Sequence, residues 1–121
     1  MGFKLGTGRK SIYDNQKGFT LKRTKLDPGV LGLATKNNII HVNSDVKPGS
    51  KMYKEVIAHE YDHMKRMNRG ELSYGDDYIR HNNKTYHRKN GKVKYNGKWH
   101  MEGSKSLPWE KLAYNSEKKL T

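Results

Sequence analysis

Two histidines four residues apart, with a glutamate directly after the first, form the segment best equipped for chemistry: His59-Glu60-Tyr61-Asp62-His63. On a helix of about 3.6 residues per turn, His59 and His63 project from one face, so both imidazoles can close on one metal ion. Glu60 stands one step round the helix. From there its carboxylate can reach a metal-activated water rather than the metal, take a proton from it, and pass that proton to a leaving amine. Val56, Ile57 and Ala58 precede the motif and place it on a packed helix. The chain has no cysteine, which excludes disulfides, thiolate zinc ribbons and cysteine nucleophiles, so any metal must be held by His, Asp or Glu. Two imidazoles and a carboxylate suit zinc better than magnesium or calcium, and one Zn2+ is the expected cofactor.

A catalytic zinc takes three protein ligands and leaves one position open, so a third donor must come from elsewhere. The candidates are His81, His87 and His100 downstream of the helix, Glu71 and Asp76 just beyond it, and Glu110. Glu110 is favoured because small Ala113, one turn later, would let a second helix pack closely across the His59/His63 face. His100 is the next choice, and His81 stays open. Glu110 also has a plainer role available, since an acidic residue in a first helical turn complements the helix dipole.

The elements that must position these residues can be read from turn and cap signals. Pro48-Gly49-Ser50 supplies a break and an N-cap, and the spacing predicts a helix from Met52 to Asn68 that ends near Gly70. Before it, Val30–Ala34 and Asn38–Asn43 are short apolar runs separated by Thr35-Lys36-Asn37, which predicts a hairpin. Residues 1–29 read as a basic extended arm with one strand around Phe19–Lys22. After the helix, Asn82-Asn83, Asn90-Gly91 and Asn96-Gly97 mark the turns of a small basic meander over about residues 78–101. One face of that meander is aromatic or apolar and the other cationic. A covered core explains the aromatic face better than a nucleic-acid platform does. Pro108 opens a closing helix. The expected fold is α+β: a short antiparallel sheet, the HExxH helix, a β-meander and a C-terminal helix, in one domain spanning 30–121.

The chain's 121 residues fit one such domain. Hydrophobic residues make up 32%, so the core must be thin. Lys and Arg number 25 against 12 Asp and Glu, a formal charge of +13 that favours anionic surfaces. Residues 1–54 hold 11 basic and 3 acidic side chains, residues 55–78 hold 3 and 6, and residues 79–121 hold 11 and 3. The acidic island thus coincides with the histidine motif, and the basic flanks leave nucleic acid open as a partner. No apolar run is long enough for a signal-peptide core or a membrane span, so no membrane contact is expected and the compartment stays open, a cytoplasmic one included.

At Asn38-Ile39-Ile40-His41-Val42-Asn43, then the HExxH segment, then Trp109-Glu110-Lys111-Leu112-Ala113, the chain resembles the strand, active-site helix and glutamate helix of gluzincin-type zinc metallopeptidases in minimal form. It is also similar to short HExxH proteins encoded by tailed bacteriophages. The first resemblance covers about residues 30–115 if the meander is an insertion, and its specific part is HExxH. It implies a zincin-like fold, His59, His63 and Glu110 as metal ligands, and Glu60 as general base. It further implies an edge strand at Ile39, Ile40, His41 and Val42 that hydrogen-bonds an extended peptide. Asp62 and Lys65 occupy positions that the family keeps uncharged or apolar, and Tyr114 stands where an Asp often orients the first histidine. That orienting role falls among Asp62, Asp76 and Asp77. The donor to the transition state is sought among Tyr78, His100 and Tyr114, with Tyr74 and His81 also open. The implied function is a zinc-dependent metallopeptidase acting on a peptide or protein. The alternative is a structural or interaction protein of a larger assembly, such as a phage virion, in which zinc staples a thin core.

Overall fold

The computed structural model describes residues 18–119, and among them the chain forms two helices and eight strands in an α+β arrangement. Helix α1 (Lys51–Asn68) begins where Ser50 Oγ accepts a hydrogen bond from the Tyr53 amide at 3.1 Å. It ends at Arg69 and Gly70, the latter at φ +76°. Tyr53, Val56, Ile57, Tyr61 and Met64 form its buried stripe, at the spacing of one helical face.

Strands β2 (Gly32–Ala34) and β3 (Ile39–Asn43) form the expected hairpin, with Asn38 at φ +59° in the turn. Strand β1 (Thr20–Thr24) realises the strand expected around Phe19–Lys22 and pairs parallel with β3, so the sheet order is β1-β3-β2. Two expectations change here. The small sheet is mixed rather than antiparallel. Phe19, 3% exposed, belongs to the domain core, so the chain from Phe19 onward is not a separate arm. The remainder of the expected arm, residues 1–17, lies outside the described residues.

Strands β4 (Leu72–Tyr74), β5 (Tyr78–His81), β6 (Lys84–Lys89), β7 (Lys92–Tyr95) and β8 (Lys98–Met101) form an antiparallel meander in sequence order. It starts six residues earlier than expected, because Leu72 pairs with His81. Asn82-Asn83, Asn90-Gly91 and Asn96-Gly97 all take positive φ, the conformation that tight hairpin turns require and that Asn and Gly tolerate best.

Helix α2 (Pro108–Lys118) carries Pro108 in its first turn. Trp109, fully buried, enters the core of the meander with Leu72, Ile79, Val93 and Leu107, and Tyr86 and Tyr95 pack against that cluster. The aromatic face of the meander is therefore a covered core. Phe19, Ile40, Val42, Val46 and the buried stripe of α1 form a separate core. No described helix is long and apolar enough to cross a membrane.

Candidate metal centre

Helix α1 presents His59 and His63 one turn apart, and α2 crosses them with Glu110. Glu110 Oε1 lies 2.8 Å from His59 Nε2 and 3.1 Å from His63 Nε2. One potential ligand atom from each of the three residues lies within 4.8 Å of the others, and all three residues are buried. This group could hold a metal ion. Of the sequence candidates for the third ligand, the structure brings in Glu110. Buried His81 packs its ring 5.6 Å from Trp109, His100 directs Nε2 to the Tyr95 carbonyl at 3.3 Å, and His87 and Asp76 are exposed. Glu71 is taken up by Arg66 and Arg69.

Close packing of α2 follows from Ala113, fully buried one turn after Glu110. One further turn on, Glu117 Oε2 accepts from His59 Nδ1 at 2.5 Å. Sequence reasoning missed Glu117 because it looked four residues past Glu110, where Tyr114 stands. The usable signal was a spacing of seven, which returns to the same helix face after two turns. A carboxylate on Nδ1 fixes that ring proton and leaves Nε2 facing Glu110 and His63, the tautomer a metal-binding histidine needs. The donor set therefore fits an N,N,O-bound cation such as zinc. His63 Nδ1, by contrast, is buried without a hydrogen-bond partner.

None of the three aspartates orients a histidine. Asp62 accepts from Arg66 Nε at 2.9 Å and from Ser116 Oγ at 2.8 Å, so it pins α1 to α2. Burial works against the Asp62 charge, but these two donors prevail and hold its carboxyl below the ordinary value. Asp76 and Asp77 are exposed. Lys65 is exposed and sits over the Tyr61 ring at 5.0 Å.

The electrostatics follow from this crowding. Burial disfavours the His59 imidazolium, yet the bonds to Glu110 and Glu117 and the charges of Glu60 and Glu110 outweigh it and raise its pKa to about 9. Burial likewise opposes the Glu110 charge, but bonds from both histidines bring it down to about 2. A cation entering between them must displace a proton from His59. Glu60 makes none of these contacts, and burial raises its carboxyl pKa against the opposing pull of His63 and His59.

Glu60 lines a cleft of about 820 Å³ that also takes in His59, His63 and Glu110. One wall of the cleft is β2. The expectation that Ile39, Ile40, His41 and Val42 form the substrate edge is corrected here, because β3 is the middle strand and is paired on both sides. Hydrogen bonds from Thr35 to Ile39 and from Asn43 to Leu31 set the ladder. Gly32 and Ala34 therefore turn their N–H and C=O groups to the open edge. A side chain at Gly32 would meet Val56 Cγ1 at 2.6 Å and Glu60 Cγ at 2.9 Å, so the strand can approach the helix only without one.

Of the expected transition-state donors, Tyr78 and Tyr114 line the cleft and His100 does not. The Tyr114 ring stands edge-on to His59 at 4.6 Å and its hydroxyl donates to the Gly103 carbonyl at 3.0 Å. Tyr74 also lines the cleft, 6.5 Å from the His63 ring, and burial with nearby carboxylates pushes its pKa well above the ordinary value. Compared with protein-family models, curated proteins and solved structures, the chain matches none.

Proposed function

We propose that the protein is a zinc-dependent metallopeptidase of minimal zincin-like build. The observation that carries this reading is the meeting of His59, His63 and Glu110 at the floor of an open cleft, with Glu60 beside them and assigned no ligand role. Held by these three residues, zinc would supply Lewis-acid polarisation of a carbonyl and a lowered pKa for water. Glu60, its carboxyl pKa raised by burial, accepts a proton at its carboxylate and returns it to the leaving amine. Glu117 holds His59 in place through Nδ1. The open edge of β2 offers Gly32 and Ala34 backbone groups to an extended peptide. Val30, Leu31, Leu33 and Met52, all exposed, line the same cleft and favour apolar side chains near the cut bond. Tyr74, Tyr78 and Tyr114 line the cleft, and a donor to the transition state would come from among them.

The test is zinc content together with cleavage of a mixed peptide library read by mass spectrometry. Wild type should hold one zinc and cleave. Glu60→Gln should hold zinc and not cleave, and Glu110→Ala should lose most of its zinc. Absence of zinc from the wild type at neutral pH would overturn the reading. A second reading, a structural protein of an assembly stapled by zinc, draws on the two separate cores that meet at this site. Zinc without cleavage in wild type, with stability lost on chelation, would favour it.

A further inference from the structure

The outer face of the meander carries a surface that the metal centre does not use. Strands β5 to β8 contain no Asp or Glu. Their side chains alternate: Ile79 and Val93 turn to the core, while Arg80, Lys89, Lys92, Lys94 and Trp99 stand exposed on the opposite face. Among the described residues none of these four cations makes an ion pair. The register sets Lys89 directly across from Lys92, and Lys94 across from Trp99. Like charges opposite each other weaken a strand pair, so the fold gains nothing from that arrangement, whereas a polyanion laid across the strands would relieve it. Trp99, 47% exposed, contrasts with fully buried Trp109 in the same half of the molecule.

We propose that this face binds single-stranded nucleic acid, with Lys89, Lys92, Lys94 and Arg80 on the phosphates and Trp99 stacking on an unpaired base. A cationic surface interleaved with an exposed ring is the general means of holding single strands without sequence preference. Stacking on the exposed Trp99 ring requires a base free of its pair, which favours a single strand over a duplex. This site is independent of the peptidase reading and shares no residue with it.

The experiment measures anisotropy of a labelled 12-nucleotide oligothymidine against full-length protein, beside a duplex of equal length and phosphatidylglycerol vesicles. Trp99 and Trp109 are the two tryptophans, so quenching of the exposed one reports contact directly. The single strand should bind most tightly, with affinity falling steeply as salt rises. Lys92→Glu/Lys94→Glu should weaken binding about tenfold or more. Lys47→Glu/Lys51→Glu, an equal charge change at exposed sites before and at the start of α1, should change it less than about threefold. Trp99→Ala should weaken it about fivefold or more, with Trp99→Phe restoring most of the loss. Equal losses in the two double variants, unquenched tryptophan, or tighter binding to duplex or vesicles would each overturn the proposal.

Discussion

Around α1, nine buried side chains from the helix, the small sheet and the flanking loop pack into one cluster, whereas five do so under the five-stranded sheet. The first half is built on a helix of eighteen residues and a strand paired on both sides. The second is a ladder of short hairpins closed by Asn-rich turns, one face covered and one face solvated. Its core has one large contributor, Trp109, and Trp109 does not come from the sheet. Helix α2 supplies it, and the next residue, Glu110, reaches the histidines of the other half. Adjacent residues on a helix point about 100° apart, so α2 serves both halves. The lesson is that the richer half carries two of the metal-site residues, while the poorer half anchors the third.

If α2 is the link, the two tryptophans of the second half should differ most. Trp109→Ala should cost about 3–5 kcal/mol in a denaturant titration, and Trp99→Ala about 0.5 kcal/mol or less. Similar costs would break the contrast between covered and open faces. Next in size, on the zinc reading proposed above, Glu117→Ala should lower zinc affinity about 10–100-fold in a chelator competition, because His59 loses the partner that orients it. A change within twofold would remove Glu117 from the site. Within the first half, Gly32→Ala should cost about 1–3 kcal/mol, since the new methyl meets Val56 and Glu60. On the peptidase reading, cleavage should fall further than stability does, as Glu60 is displaced.

The smallest effect should come from Glu71, which Arg66 ties to the foot of α1. The Arg66 bond holds the Glu71 carboxyl below its ordinary 4.5. The stability it contributes is therefore full above pH 4.5 and is lost as pH falls through the lower folded value. Glu71→Gln should cost about 1 kcal/mol or less at pH 7. That difference should shrink in thermal melts as the pH is lowered through 4.5. A gap that widens in acid would contradict the assigned sign.

Elements signalled by local chemistry were legible in the sequence. Ser50 caps α1, Gly70 ends it, the Asn pairs turn the meander and Pro108 starts α2, while the hairpin turn takes in Asn38, one residue beyond the expected Thr35-Lys36-Asn37. Glu110 was legible too, through the small residue one turn after it. What could not be read was pairing between distant segments. Nothing in Thr20–Thr24 announces a parallel partner in Ile39–Asn43, so β3 looked like an edge when it is the middle strand. Ile40 and Val42 are buried because their face of β3 packs against Val56 and Ile57 in the core around α1. Glu117 was hidden for another reason: its partner is set by how two helices cross, and its sequence position favours Nδ1 of His59 only once that crossing is known.

The separation of His59 from Glu110 also has a consequence in time. Each neighbouring strand pair in the meander is adjacent in sequence, and so is the β2–β3 hairpin, so these parts close short loops. The metal-site cluster instead joins residues fifty-one apart, and longer loops close later and at greater entropic cost. A half-formed chain holds two histidines and no carboxylate opposite them. On the peptidase reading, hydrolytic capacity therefore arrives only with this long-range contact, and a chain that has not yet docked α2 on α1 cannot cut itself or its neighbours.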